Sequence, residues 1–334
     1  MITERDILDS PAWFPFQRDG TESLWVRLDE PAYRAASFLD QRLLSKGYEQ
    51  TSCPMKIAHS AAASLAPRSH YVFHTGHVGS TLISRLVGAH EKLFSLREPP
   101  LLRTLAQQDP RDENDLDLRS VLALLSRTWR PTQRAVVKAT SFVSELAGEI
   151  LATDSEAKAI LMFADPLSYM RGILGGPNSR VESKHLAPSR LRRLAKRLSG
   201  ESWRPDPRSE GEHVAMTWLS EMTALWAAAE QHRSRVMWVN FDAFLTQPAG
   251  VLGGVFQALG VAAAAGEMEA LVRGPLMRQY SKAPEYAYDA ALRREVQLSA
   301  DAEHGTEIRR GMQWLERVAA QPIARAVLEL SMRR

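Results

Sequence analysis

A short apolar strand that runs directly into a glycine-containing turn and then into a helix is the feature that most constrains this chain. Residues 71–73 read YVF, the turn over 74–81 reads HTGHVGST, and apolar residues follow at 82, 83, 86 and 87 with helical spacing. Such a turn directs unpaired backbone N–H groups at one point, where the helix dipole adds partial positive charge. We therefore predict an anion site formed by the backbone and hydroxyl groups of Gly76, His77, Val78, Gly79, Ser80 and Thr81.

The turn lacks the residues of a loop that hydrolyses ATP or GTP. That motif has a glycine, four further residues, a second glycine, a lysine and then serine or threonine. When the motif is aligned on Gly79 and Thr81, Ser80 occupies the lysine position and His74 the first glycine position. Because the lysine normally pairs with the β- and γ-phosphates, its absence favours a nucleotide with a smaller 5′ group. A small-molecule kinase of P-loop type stays open as an alternative.

Further motifs follow the turn in a definite order. The chain reads REPP over 97–100, VVKAT over 136–140, FADP over 163–166 and NFDAFL over 240–245. Together with the Gly-Ser-Thr turn, this order resembles the bacterial sulfotransferase family, which is related to the tyrosylprotein and cytosolic sulfotransferases. The resemblance implies transfer of a sulfuryl group from 3′-phosphoadenosine-5′-phosphosulfate (PAPS) to an acceptor hydroxyl or amine, with no metal.

The resemblance implies roles for three side chains. Glu98 matches the catalytic base of the tyrosylprotein-type and some bacterial enzymes, although an ion pair with Arg97 or Arg103 is an equally good explanation. Lys138 matches a lysine that contacts the sulfuryl or bridging oxygens; the alternative is a surface lysine with a partly buried stem. His77 stands where the family has lysine or arginine, and is either a cation beside the leaving group or a neutral structural histidine.

The family's usual contacts to the 3′-phosphate of the donor are missing. Where the family has an arginine and a serine, this chain has Ala164 and Gly172. The remaining candidates for donor binding are Asp165, Arg171 and Lys282, with Arg278 as an alternative to Lys282. The missing contacts leave open a non-catalytic binding protein on the same fold.

From about residue 70 onward, short apolar runs alternate with helical stretches. The predicted strands are residues 71–73, 93–96, 135–137, 159–163 and 236–239. The helices between them include residues 121–129, 141–151 and 214–230. This alternation predicts an α/β fold of the P-loop type, a three-layer sandwich with a mostly parallel sheet and helices on both faces. Ligands of such sheets bind beyond the carboxyl ends of the strands, where the sequence places His77, Glu98, Lys138 and Asp165.

The chain divides into three predicted regions. Residues 69–262 form the sulfotransferase-like core, and residues 263–334 form a mainly helical part packed on it. Residues 1–68 form an accessory segment that contains an apolar layer and a helix near 32–44. This segment either caps the sheet or helps to line the acceptor site.

The net charge and composition limit the kinds of partner and the compartment that we expect for this chain. The chain has 334 residues, a net charge of +3 and one cysteine, Cys53, so an internal disulfide is excluded. We find no signal peptide or membrane span and expect a cytoplasmic protein. The basic residues of 190–197, expected on a helix that follows Pro188, form either a solvated face or a surface that attracts anions. Since no base-reading module is found, we expect a small-molecule, saccharide or peptide acceptor rather than a nucleic acid.

Overall fold

A computed structural model of the chain describes residues 2–108, 115–198, 206–279 and 290–332. The strands in these ranges are β1 Trp13–Asp19, β2 Glu22–Arg27, β3 Gln50–Pro54, β4 Ser69–His74, β5 Leu93–Arg97, β6 Arg134–Lys138, β7 Ala159–Phe163 and β8 Val236–Asn240. The helices are α1 Glu4–Asp9, α2 Glu30–Ala35, α3 Met55–Ala63, α4 Ser80–Val87, α5 Pro100–Gln107, α6 Leu118–Leu124, α7 Ala147–Ala152, α8 Pro166–Leu174, α9 Pro177–Arg197, α10 Glu210–Gln231, α11 Phe241–Thr246, α12 Pro248–Ala258, α13 Ala265–Arg273, α14 Ala290–Val318 and α15 Pro322–Met332. No helix in the described ranges combines the length and apolar character needed to cross a bilayer.

The central sheet consists of five parallel strands in the order β5-β6-β4-β7-β8. Every strand predicted for the core lies within an observed one. Tyr71 and Phe73 of β4 pack in one apolar cluster and Val72 packs in another, so both faces of the sheet are buried. The predicted α/β class, with a parallel sheet between helical layers, is therefore confirmed. Because the strand order reverses at β4, ligands are expected at the carboxyl end of that strand.

The N-terminal apolar layer is a three-stranded antiparallel sheet in the order β1-β2-β3. Its residues Phe14, Phe16 and Trp25 are buried in the same cluster as Tyr71 of the central sheet. The single helix predicted near 32–44 is wrong. Instead α2 ends at Ala35, and a separate 3₁₀ helix, Gln41–Lys46, begins where the carboxylate of Asp40 accepts from the N–H of Arg42 at 3.1 Å.

Arg97, the last residue of β5, holds the end of α2 against the central sheet. Its guanidinium donates to the carbonyl oxygens of Tyr33, Arg34 and Ala36, with 2.7 Å to Ala36. A helix end leaves such carbonyls without partners of its own, and a cation there is favourable. Burial lowers the pKa of Arg97 to about 9, which leaves it charged at neutral pH.

The basic helix α9 begins earlier than predicted, so Pro188 lies inside it rather than before it. The predicted solvated face is confirmed for Arg192 and Lys196, which are exposed, but neither predicted role fits the inward-facing arginines. Arg190 forms a buried ion pair with Glu221 at 2.8 Å, and Arg193 and Arg197 donate to residues of the 3₁₀ helix that follows β6. The arginines therefore join α9 to α10 and to the 3₁₀ helix that follows β6.

Two other predicted helices have different bounds. The helix predicted over 121–129 is α6, which begins after the capping residue Asp117 and ends at Leu124. It ends there because the Arg127 guanidinium donates to the carbonyl of Leu124 at 2.8 Å. The same guanidinium also donates to the carbonyls of Ile7 and Ser10 at the end of α1. The helix predicted over 141–151 is a 3₁₀ helix, Ser141–Leu146, followed by α7.

We expect the protein to become less stable as the pH decreases from 6.5, because of His70 on β4. Its ring is buried, and Nδ1 accepts from the N–H of Lys158 at 3.1 Å. Burial, with nearby cations, lowers the pKa of His70 from 6.5 to about 3. Between these values the unfolded chain binds a proton that the folded chain does not. The contribution of His70 is thus complete above pH 6.5 and is lost as the pH falls, by about 1.4 kcal/mol per pH unit.

Urea unfolding at pH 6.5 and pH 5 measures this effect. Wild type is expected to lose about 2 kcal/mol more than His70→Gln over that interval, since glutamine does not titrate. The same loss in both proteins would show that His70 does not bind the proton.

Candidate functional site

The turn between β4 and α4 has the backbone of an anion cradle. Gly76 and Gly79 have φ angles of +94° and +65°, and His77 has φ of +55°, which non-glycine residues adopt infrequently. No side chain caps α4, and the first hydrogen bond at this end runs from the Ile83 N–H to the Gly79 carbonyl at 3.1 Å. Within the described ranges, the N–H groups of residues 79–81 therefore have no acceptor and are available to an anion.

Gly79 is also required by the close approach of Phe241, the first residue of α11. A Cβ at position 79 would lie 2.0 Å from Cε2 of the Phe241 ring. The guanidinium carbon of Arg293 lies 4.8 Å from the centroid of the same ring, and Arg293 pairs with Asp242 at 2.7 Å. The aromatic ring thus packs against the turn, and only glycine leaves room for it.

The backbone N–H of Gly76 has a different role from the predicted one, because it binds the side chain of His74. The N–H of Gly76 donates to Nδ1 of His74 at 3.0 Å, and Nε2 of His74 donates to the carbonyl of Ala139 at 2.9 Å. Because Nδ1 accepts, the proton is assigned to Nε2. Gly76 therefore directs its N–H to His74 rather than to an anion, and contributes its φ angle to the turn.

Three buried hydroxyl oxygens at this edge of the sheet have no hydrogen-bond partner in the described part of the chain: Oγ1 of Thr75, Thr81 and Thr140. An unpaired buried polar group costs about 1–3 kcal/mol, so these three hydroxyl oxygens would gain from a hydrogen bond to a ligand or to water. Thr81 is one of the residues predicted to bind the anion. The sequence analysis does not select Thr75 or Thr140, although Thr75 directly follows β4 and Thr140 lies two residues after β6, and this placement is the signal that could have found them.

Glu98 and Lys138 form an ion pair at the ends of β5 and β6. The two strands are adjacent, and the Glu98 N–H donates to the Lys138 carbonyl at 2.7 Å. The Lys138 side chain is only 1% exposed and that of Glu98 is 17% exposed. Both alternatives are therefore wrong: Glu98 pairs with neither Arg97 nor Arg103, and Lys138 is not a surface lysine. Burial lowers the pKa of Lys138, and the Glu98 carboxylate opposes that shift.

His77 and Glu98 are the only non-glycine residues with positive φ in the described ranges, at +55° and +57°. Strain of this kind costs about 1–3 kcal/mol and is concentrated at functional sites. Two of the three residues predicted to be catalytic therefore have the left-handed backbone that no other described non-glycine residue adopts.

The other predicted donor contacts lie on α8 or beyond. Asp165 caps α8 by accepting from the Ser168 N–H at 2.9 Å. The guanidinium of Arg171 makes two hydrogen bonds, of 2.8 and 2.6 Å, to the carboxylate of Asp301 on α14. Lys282 lies outside the described residues.

Helix α8 lies against the turn. A Cβ at Gly172 would be 4.0 Å from Cβ of His77, so the position that holds a serine in the family adjoins the cradle. The Val78 side chain packs in the apolar cluster below, so only its backbone is offered to a ligand. Ser80 is buried at the start of α4.

No protein-family model matches the chain, and no curated protein matches it. Solved structures do resemble it. A sulfotransferase from Alicyclobacillus acidocaldarius is 15% identical, with 76% of this chain and 95% of that chain covered and a TM-score of 0.39. Mouse sulfotransferase SULT7A1, complexed with PAP, is 13% identical, with coverage of 81% and 92% and a TM-score of 0.43. The sulfotransferase domain from the Synechococcus PCC 7002 olefin synthase is 14% identical, with coverage of 81% and 96% and a TM-score of 0.44.

All three are sulfotransferases.

Proposed function

We propose that the protein is a sulfotransferase that moves a sulfuryl group from PAPS to a hydroxyl or amine of a small-molecule, saccharide or peptide acceptor. One observation carries the proposal. A turn lined by unpaired N–H groups and an ion pair between the buried Lys138 and the half-buried Glu98 lie at the same edge of the sheet, after β4 and after its near neighbours β5 and β6. Sulfuryl transfer needs a base for the acceptor and donors for the departing phosphate, and this edge has both.

The residues of the turn fit the 5′ end of such a donor. The N–H groups of 79–81 and the unpaired Oγ1 of Thr81 are donors to phosphate or sulfate oxygens, and Gly79 permits close approach of the backbone. Ser80 brings no positive charge for the β- and γ-phosphates of a triphosphate.

In the proposed reaction Glu98 is the general base. The acceptor hydroxyl gives its proton to the Glu98 carboxylate while its oxygen bonds to sulfur, and the bond from sulfur to the 5′-phosphate oxygen breaks. The electron pair of that bond goes to the phosphate oxygen. Protonation of Glu98 removes the partner of Lys138, whose ammonium group is then free to stabilise the leaving oxygen with the N–H groups of the turn. His77, when protonated, adds a second cation there.

Arg171 and Lys282 remain our candidates for the 3′-phosphate. Since Arg171 is held by Asp301 of α14 through two hydrogen bonds, binding a phosphate there requires the anion to replace that carboxylate. We assign Asp165 to holding the start of α8, and with it Arg171, beside the turn.

Thr81→Val tests the contact to the donor. Valine keeps the shape of threonine, and Oγ1 has no partner within the described protein, so we expect an unchanged melting temperature. Loss of a hydrogen bond to a charged phosphate is expected to weaken binding of 3′,5′-adenosine bisphosphate (PAP) about tenfold or more. Calorimetric titration and thermal unfolding measure the two effects, with Thr81→Ser as the control that restores binding. Wild-type affinity in Thr81→Val would exclude the contact.

Comparison of nucleotides tests the proposal against a small-molecule kinase. We expect PAP to bind at least about tenfold more tightly than ATP with Mg²⁺, and to need no divalent ion. Calorimetric titrations with the two nucleotides, each with and without Mg²⁺, give the comparison. Tighter, Mg²⁺-dependent binding of ATP would favour the kinase.

A non-catalytic binding protein is the second candidate, and it is favoured by the missing contacts at Ala164 and Gly172. Incubation with sulfur-labelled PAPS and a mixed acceptor extract separates the two. The enzyme is expected to label a component of the extract, whereas tight PAP binding without any labelled product would favour the binding protein.

A further inference from the structure

Phe38 is a buried aromatic residue outside the apolar cores. It is 7% exposed, yet it belongs to none of the three apolar clusters of the described chain. Nζ of Lys138 lies 5.5 Å from the centroid of its ring, and Cζ of Arg42 lies 3.6 Å from the same centroid. The ring is thus packed against two cations, and an aromatic face attracts cations.

Two backbone groups beside Phe38 form hydrogen bonds with Arg97 and hold Phe38 in this place. On its N-terminal side the carbonyl of Ala36 accepts from the guanidinium of Arg97 at 2.7 Å. On its C-terminal side the N–H of Leu39 donates to the carbonyl of Arg97, also at 2.7 Å. Arg97 directly precedes Glu98. The end of β5 therefore positions both the ring and the carboxylate that meet Lys138.

The ring lies beside an ammonium group that the fold keeps away from water. Lys138 ends β6 at the open edge of the sheet, where its partner Glu98 remains 17% exposed, yet Lys138 itself is 1% exposed. The charged groups around it are Glu98, Arg97 and Arg42. Of these only Glu98 attracts it, so exclusion of water, which strengthens that attraction, matters for keeping the pair together.

We propose that Phe38 is a positioning residue of the candidate site: its ring keeps Lys138 on Glu98 and excludes water from the pair. Only the catalytic consequence rests on the function proposed above, because the position of Lys138 is a property of the folded protein. The N-terminal segment thereby completes a site whose other residues come from the central sheet.

Reaction of lysine amines with acetic anhydride, followed by mass spectrometry of peptides, tests the proposal. An amine reacts when it is uncharged and accessible, so Lys138 is expected to be protected in wild type relative to Lys92, which is exposed. In Phe38→Ala the rate at Lys138 relative to Lys92 is expected to rise about tenfold or more. Phe38→Tyr keeps the ring and is expected to keep the protection.

A matched control separates the local effect of the Phe38 ring from a general loss of stability of the fold. Phe256 is also buried, but it lies in the apolar cluster of α4 and α12. Phe256→Ala is expected to destabilise the fold and yet leave Lys138 protected. A rise as large as that in Phe38→Ala would overturn the proposal, as would unchanged protection in Phe38→Ala or lost protection in Phe38→Tyr.

A second variant replaces Phe38→Ala if that protein does not fold. Phe38→Leu removes the ring face while keeping most of the volume, and we expect Lys138 to react faster in it than in Phe38→Tyr.

The acetylation experiment is independent of the proposed function, because no step requires PAPS. A protein that shows Phe38-dependent protection but never transfers a sulfuryl group would count against the proposed function alone.

Discussion

Glu98→Gln is expected to lower the rate of sulfuryl transfer by about 10²- to 10⁴-fold, the usual contribution of a general base. Glutamine has nearly the shape of glutamate but does not take up the proton of the acceptor. Binding of PAP is expected to persist, because Glu98 follows β5 and is not part of the turn that offers N–H groups. Initial rates with labelled PAPS and calorimetric titration with PAP measure the two effects separately.

Because Glu98→Gln breaks the ion pair between Glu98 and Lys138, its effect on protein stability needs a control. Glu98→Gln leaves the buried ammonium of Lys138 without its partner, and such a change typically costs about 3–5 kcal/mol. Adding Lys138→Met removes the second charge and is expected to recover stability but not transfer. Wild-type transfer by Glu98→Gln would show that another group accepts the proton.

Gly79→Ala is expected to destabilise the protein by about 3 kcal/mol or more and to weaken PAP binding at least about 100-fold. Alanine is strained at φ of +65°, and its Cβ would lie 2.0 Å from the Phe241 ring. Either the ring or the turn has to move, and movement of the turn disperses the N–H groups. Urea unfolding and calorimetric titration measure the losses.

Gly20→Ala is the matched control. Gly20 has φ of +62°, close to that of Gly79, but nothing lies within 4 Å of a Cβ built there. Only the backbone strain is expected at this position, about 1–2 kcal/mol, with no change in PAP binding. Equal losses of stability at the two glycines would contradict the close approach of Phe241.

The central sheet could be predicted because its strands are short apolar runs that are buried on both faces. The strand predicted over 159–163 has the observed bounds of β7. The N-terminal sheet gave no comparable signal. The register of β1 shifts between Pro15 and Gln17, and β3 is largely polar, so alternation of apolar and polar residues is weak in both.

The turn could be predicted because its chemistry is local, whereas the partners of the site residues could not. The partner of Glu98 depends on which strand lies beside β5, and the sequence does not contain the strand order explicitly. The N–H of Gly76 has an acceptor in His74 only because the turn folds back on the end of β4. The sequence around Arg190 indicates a solvated or anion-binding residue, because its buried partner Glu221 is 31 positions away and gives no local signal.

A crystal structure of the protein with PAP tests the anion site most directly. We expect the 5′-phosphate within hydrogen-bonding distance of the N–H groups of residues 79–81 and of Oγ1 of Thr81, with no divalent ion required for binding. A turn that stays empty at saturating PAP, or a nucleotide bound elsewhere on the protein, would contradict the proposed site and the function built on it.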